Sequence, residues 1–85
     1  VTVKVKFLAH ISNLVRQREM SLHVSDDINL AVKQITELSG CPLEKMLGSE
    51  VGLLVNGRSW QRMIQDGTKL KDGDVLAVVP VMGGG

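Results

Sequence analysis

The run Val75-Leu76-Ala77-Val78-Val79 is apolar at every position. It constrains the fold more than any other stretch. A strand with one wet face alternates apolar and polar residues, so a strand apolar throughout belongs in the middle of a sheet. Val75, Ala77 and Val79 point one way, Leu76 and Val78 the other. Pro80 follows, with no N–H to give a ladder, and regular pairing is expected to fail at or just after it. Beyond it come Val81, Met82 and three glycines, Gly83, Gly84 and Gly85. Glycine loses the most entropy on ordering and has no side chain to pack, so residues 83–85 read as a flexible tail on a domain of residues 1–82. Extended, three residues reach roughly 10 Å at about 3.3–3.6 Å each. Such a bare spacer suits delivery of the α-carboxylate of Gly85 through a channel too narrow for side chains. The plainer alternative is an inert linker or a frayed end.

A central strand needs partners, and three upstream segments supply them. Val1 to Phe7 alternates strictly, with Val1, Val3, Val5 and Phe7 on one face and Thr2, Lys4 and Lys6 on the other, the pattern of a half-buried strand. Glu19 to Ser25 alternates again, with Met20, Leu22 and Val24 inward, and is expected to lie antiparallel to the first. Val51 to Val55 forms a third, followed by Asn56-Gly57, a strong hairpin-turn signal. Between the first two strands, Ile11, Leu14 and Val15 have helix-like spacing and predict a turn of helix tucking apolar residues beneath a loop. Arg58 to Thr68 carries little pattern beyond a brief strand. Asp72-Gly73-Asp74 is a turn feeding the last strand.

One long helix is predicted. Asp26-Asp27 places carboxylates where the first helical turn has unpaired N–H groups. Ile28, Ala31, Val32, Ile35 and Leu38 follow at intervals of three and four. Ser39-Gly40 provides a left-handed stop, and Pro42 prevents resumption. Residues 42–49 are read as a short helical turn with Leu43, Met46 and Leu47 inward.

A single main helix can cover only one face of a mixed sheet of four or five strands. The central strand is apolar on both faces, so an apolar patch is expected on the face away from that helix, the alternative being that the 43–49 segment or the 58–68 loop covers it. Leu76, Val78 and Leu54 are assigned to it, and with Pro80, Val81 and Met82 they form the expected partner-binding surface.

The bulk properties exclude several classes. Eighty-five residues allow one core. A net charge of +1 with scattered Lys and Arg leaves no footprint for nucleic acid or a membrane surface. No apolar run approaches the ~20 residues of a membrane span. The lone Cys41 cannot form an internal disulfide, which suits a reducing, cytoplasmic setting. It also lacks an activating neighbour in sequence, and reads as structural. His10 and His23 have no companions at metal-ligand or triad spacing, so no metal site is expected. Trp60 is expected to pack over the sheet edge.

Asn56-Gly57, then Leu70-Lys71-Asp72-Gly73-Asp74-Val75, then Pro80 and a glycine end together resemble the ubiquitin-like sulfur carriers. Within them, the nearest resemblance is to the small, MoaD-like subunit of molybdopterin synthase. Val3-Lys4-Val5-Lys6-Phe7-Leu8-Ala9, with Ile11 and Leu14-Val15, is similar to that family's first strand and loop. Matched from the end, Gly84 and Gly85 take the diglycine positions and Pro80 the first proline of the family ending. Val81 stands where a second proline is common, and Val78-Val79 where aromatics are frequent.

The resemblance implies an α+β, β-grasp fold and a carrier with no catalytic residues or bound cofactor of its own. A MoeB-like, ubiquitin-activating-enzyme-like adenylyltransferase would use ATP to adenylate Gly85. A persulfide donor would supply sulfur to give a thiocarboxylate, with Gly83 and Gly84 providing clearance. A MoaE-like large subunit would then accept the sulfur for molybdopterin. Three alternatives share the features: a thiamine or tRNA-thiolation carrier, a protein modifier that ends on lysine amines, and a β-grasp binding module with an inert tail.

Overall fold

The computed structural model describes residues 1–81. In chain order the elements are β1 (Thr2–Phe7), α1 (Ile11–Val15), β2 (Glu19–His23), α2 (Ile28–Ser39), α3 (Leu43–Met46), β3 (Val51–Val55), β4 (Arg58–Ser59), α4 (Trp60–Asp66) and β5 (Val75–Pro80). The five strands form one mixed sheet in the order β2-β1-β5-β3-β4. β5 therefore lies at the centre, as its unbroken apolar run requires. It runs parallel to β1 and antiparallel to β3, while β2 and β4 pair antiparallel at the two edges.

The register assembles the core in rows. Val5 pairs with Leu76, which pairs on its other side with Val55; Phe7 pairs with Val78, which pairs with Leu53. All six are buried, and Ile28, Ala31, Val32 and Ile35 of α2 belong to the same cluster. One face of the sheet is thus sealed by helix, and the apolar side chains removed from water there supply the main stabilisation.

Helix α2 begins as its carboxylates dictate. Asp27 Oδ1 accepts the Leu30 N–H at 3.1 Å, and the Asp27 N–H donates to Ser25 Oγ at 3.1 Å. It ends at Gly40 with φ +76°, the Gly40 N–H bonding the Thr36 carbonyl, a conformation that costs glycine little. Leu38 departs from the expected stripe and is 55% exposed. The chain turns at Gly40 so that buried Cys41 and Leu43 close this end of the core instead.

Two other segments differ from expectation. In α1 only Ile11 is buried, while Leu14 stands out in solvent; one turn of helix cannot bring three such residues under itself. Residues 60–66 form a helix, α4, where only a brief strand was expected. Ser59 Oγ caps it by accepting the Gln61 N–H, and Gly67 ends it at φ +72°. Its apolar side is short, Met63 buried and Trp60 partly so, with Ile64 exposed. The two-residue β4 that precedes it continues the Asn56-Gly57 turn, whose φ values of +52° and +85° are those of a tight hairpin.

Candidate functional site

The site is built from the end of β5 and the sheet face that no helix covers. Lys6 pairs with Ala77, which pairs with Leu54, which pairs with Ser59; Lys4 pairs with Val75, and Gly52 with Val79. These residues share the face opposite the core rows. Val75, Ala77, Val79 and Leu54 are all half-buried, an apolar strip along β5 and its neighbour β3. On its β1 side stand the exposed Lys4 and Lys6, with Glu19 Oε2 3.6 Å from Lys4 Nζ.

An apolar patch on the open face is therefore present, but Leu76 and Val78 do not lie in it. Both are fully buried on the helix side, at 0% exposure. Their places belong to Val75, Ala77 and Val79. Alternation separates the two sets, yet nothing within β5 says which set meets the helix. The pairing decides it: Leu76 falls between Val5 and Val55, Val78 between Phe7 and Leu53. The inward assignment of Val5 and Phe7, combined with a parallel β1–β5 register, is the signal that identifies the covered set. Leu54 does lie on the open face.

Pro80 behaves differently on its two sides. Pairing with β1 has ended by then, at Phe7↔Val78, with the Leu8 N–H donating to the Val78 carbonyl at 3.1 Å. Pairing with β3 continues through Val51↔Pro80 to a bond from the Val81 N–H to the Glu50 carbonyl at 2.9 Å. Antiparallel residues bond to a given neighbour only at alternate positions. On the β3 side Pro80 occupies a non-bonding position, so its missing N–H costs that ladder nothing. Val81 is 48% exposed. Met82, Gly83, Gly84 and Gly85, the remaining expected site residues, lie outside the described residues.

The other candidate groups have structural places. Cys41 is buried, and burial pushes its thiol pKa up, which disfavours the reactive thiolate. His23 is exposed, with Nδ1 3.3 Å from Thr2 Oγ1, and His10 is exposed in the loop before α1. Trp60 packs at the start of α4 against the core. The 72–74 turn is held by its carboxylates: Asp72 Oδ1 accepts the Thr2 N–H at 2.7 Å and Asp74 Oδ2 the Lys71 N–H at 2.9 Å. Among the described residues no group of three or more His, Cys, Asp or Glu could hold a metal ion, and no helix is long and apolar enough to cross a membrane.

The fold superimposes on solved structures over 94–100% of the chain. Small archaeal modifier protein 1 from Methanosarcina acetivorans matches with a TM-score of 0.75 at 22% identity, covering 100% of this chain and 97% of that one. A Pyrococcus furiosus protein described as molybdopterin converting factor subunit 1 matches with a TM-score of 0.67 at 28% identity, covering 94% and 97%. The complex of subunits 1 and 2 of the molybdopterin-converting factor from Helicobacter pylori contains a chain with a TM-score of 0.65 and 24% identity, covering 100% of both. A search of curated proteins gave no match. The fold is the α+β, ubiquitin-like β-grasp. The ThiS family profile matches residues 5–85, from the first strand through the glycine end, and on that evidence the chain belongs to the ThiS family of ubiquitin-like sulfur carriers.

Proposed function

We propose that this chain carries sulfur on its C-terminal glycine for molybdopterin biosynthesis. A carboxylate oxygen of Gly85 attacks the α-phosphorus of ATP in a partner adenylyltransferase, expelling pyrophosphate. A persulfide sulfur then attacks the carbonyl carbon and AMP leaves. A second thiol takes the remaining sulfur of the donor as a disulfide, and the chain ends in a thiocarboxylate. The free carboxylate is a poor electrophile, and the adenylate gives it a leaving group. A large synthase subunit accepts the sulfur from the inserted tail.

The observation that carries the reading is the placement of the last described residue. Val81 is tied to Glu50 at the end of the sheet's central strand, beside an apolar strip that no helix covers. A tail starting there has a fixed origin next to a docking face. The family match extends through Gly85, and the Pyrococcus protein of 28% identity, described as a molybdopterin converting factor subunit, supports the choice of pathway.

The test incubates the chain with an adenylyltransferase, ATP and a persulfide donor, and reads the intact mass. Exchange of one oxygen for one sulfur is expected. Isopeptide-linked lysine conjugates in place of that exchange would move the chain to the protein modifiers, since an amine would then be the nucleophile. An unchanged mass would remove the carrier reading.

A further inference from the structure

At the corner where β1 gives way to α1 there is an open groove of about 460 Å³, with Lys6, Leu8, Ser12, Arg18 and Glu19 among its lining residues. A second depression of about 300 Å³ shares Ser12 and Arg18 with it and adds Arg16. Lys6, Arg16 and Arg18 thus face this corner against one acid, Glu19, which lies 3.6 Å from Lys4 Nζ. Among the described residues neither Lys6 nor Arg18 enters an ion pair. The main chain holds the corner firmly, since the Phe7 N–H donates to the Arg18 carbonyl at 2.8 Å.

The position of the groove matters as much as its charge. β1 and β5 run parallel, so Leu8 leaves the sheet at the same end as Val81. The Leu8 N–H is bonded to the Val78 carbonyl, and the Leu8 side chain is exposed. Lys6 is also the cross-strand neighbour of Ala77 on the open face. The basic corner is therefore continuous with the apolar strip and lies at the end of β5 that carries Val81.

We infer that this groove receives an acidic segment of the adenylyltransferase that loads the tail. A carboxylate of that segment faces Lys6 and Arg18, with apolar residues beside it on Leu8 and Ala77. The assignment rests on the carrier reading, in which the adenylyltransferase is the first protein to engage Gly85, before any acceptor takes its sulfur. Unpaired cations beside an uncovered apolar strip complement a protein surface of mixed acidic and apolar character. Nucleic acid would call for an extended basic track, whereas this chain has a net charge of +1.

The test titrates a MoeB-like adenylyltransferase with the full chain and with the double variant Lys6→Glu, Arg18→Glu, at low and high salt, alongside ATP–pyrophosphate exchange. The double variant is expected to bind at least about tenfold more weakly at low salt, with a flatter salt dependence. The charge-keeping variant Lys6→Arg, Arg18→Lys should bind as wild type, which separates lost charge from lost fold. Unchanged affinity and salt slope in the double variant would overturn the inference, as would failure of the wild type to bind. Wild-type binding without exchange would sink the carrier reading alone, and the affinity comparison would still decide the groove. Transfer RNA bound by the wild type and released by the double variant, with enzyme affinity unaltered, would assign the corner to nucleic acid and overturn it.

Discussion

The backbone N–H of Val81 donates to the carbonyl of Glu50 at 2.9 Å, one residue past a proline that has no N–H to donate. The central strand is thus held by β3 for longer than by β1, as far as the last described residue. Replacing Val81 with proline removes this bond and little else. The expected loss is about 1 kcal/mol, read by chemical denaturation, with tail loading retained.

The two faces of β5 should separate stability from docking. Leu76→Ala leaves a cavity between Val5 and Val55, and is expected to cost about 2–5 kcal/mol. Ala77→Asp places a charge on the half-buried open face, where solvent still reaches it. Its stability cost should stay near 1 kcal/mol, while the apparent KM for adenylation rises at least about tenfold. Equal stability losses in the two variants would mean that the faces had been assigned wrongly.

Removing Gly85 leaves the terminal carboxylate on Gly84, about 3.3–3.6 Å short of the proposed reacting position, and takes away no side chain. The unfolding midpoint is expected to stay where it was, because glycine buries nothing. Sulfur loading, followed by intact mass, should disappear. A large drop in stability would contradict a tail independent of the core.

Asn56 ties the far end of the sheet together. Its Nδ2 donates to Asp74 Oδ1 at 2.9 Å, its Oδ1 accepts the Val75 N–H at 2.9 Å, and its φ of +52° is one that asparagine tolerates better than most residues. Asn56→Ala should destabilise by about 2 kcal/mol from lost bonds and backbone strain. Loading should be unaffected, since this turn lies at the opposite end from Val81.

Cys41 should be inert in the native protein. Burial raises its thiol pKa, so across the interval above the ordinary thiol value the folded chain keeps a proton that the unfolded chain has released. Its contribution to stability is whole below that value and declines as pH rises through the interval. Alkylation by iodoacetamide at neutral pH is expected to be slow in the native protein and rapid in denaturant.

Much of the architecture is readable in local pattern. The alternation of Val1 to Phe7, the Asp27 cap with Gly40 as its stop, the Asn56-Gly57 turn and the unbroken apolar run of β5 each follow from steric or solvation rules acting over a few residues. Helix α4 was less legible, because only Met63 and Trp60 bury along it and two residues make a weak period. Leu14 and Leu38 show the opposite error. Their spacing suits a buried stripe, but whether the core reaches them depends on where the chain turns away.

The candidate site divides along the same line. Pro80 marks where pairing with β1 has stopped, and the family match follows from residues in order along the chain. Which face of β5 remains open does not. Leu76 and Ala77 are both apolar and adjacent, and a period of two is indifferent to which of them faces the helix. Only the register against Val5 and Val55, set once the sheet closes and α2 lies across it, buries Leu76 and leaves Ala77 beside Lys6. Lys6 and Arg18 meet through the local β1–β2 pairing, and only the parallel register of β1 with β5 sets them beside the end of β5.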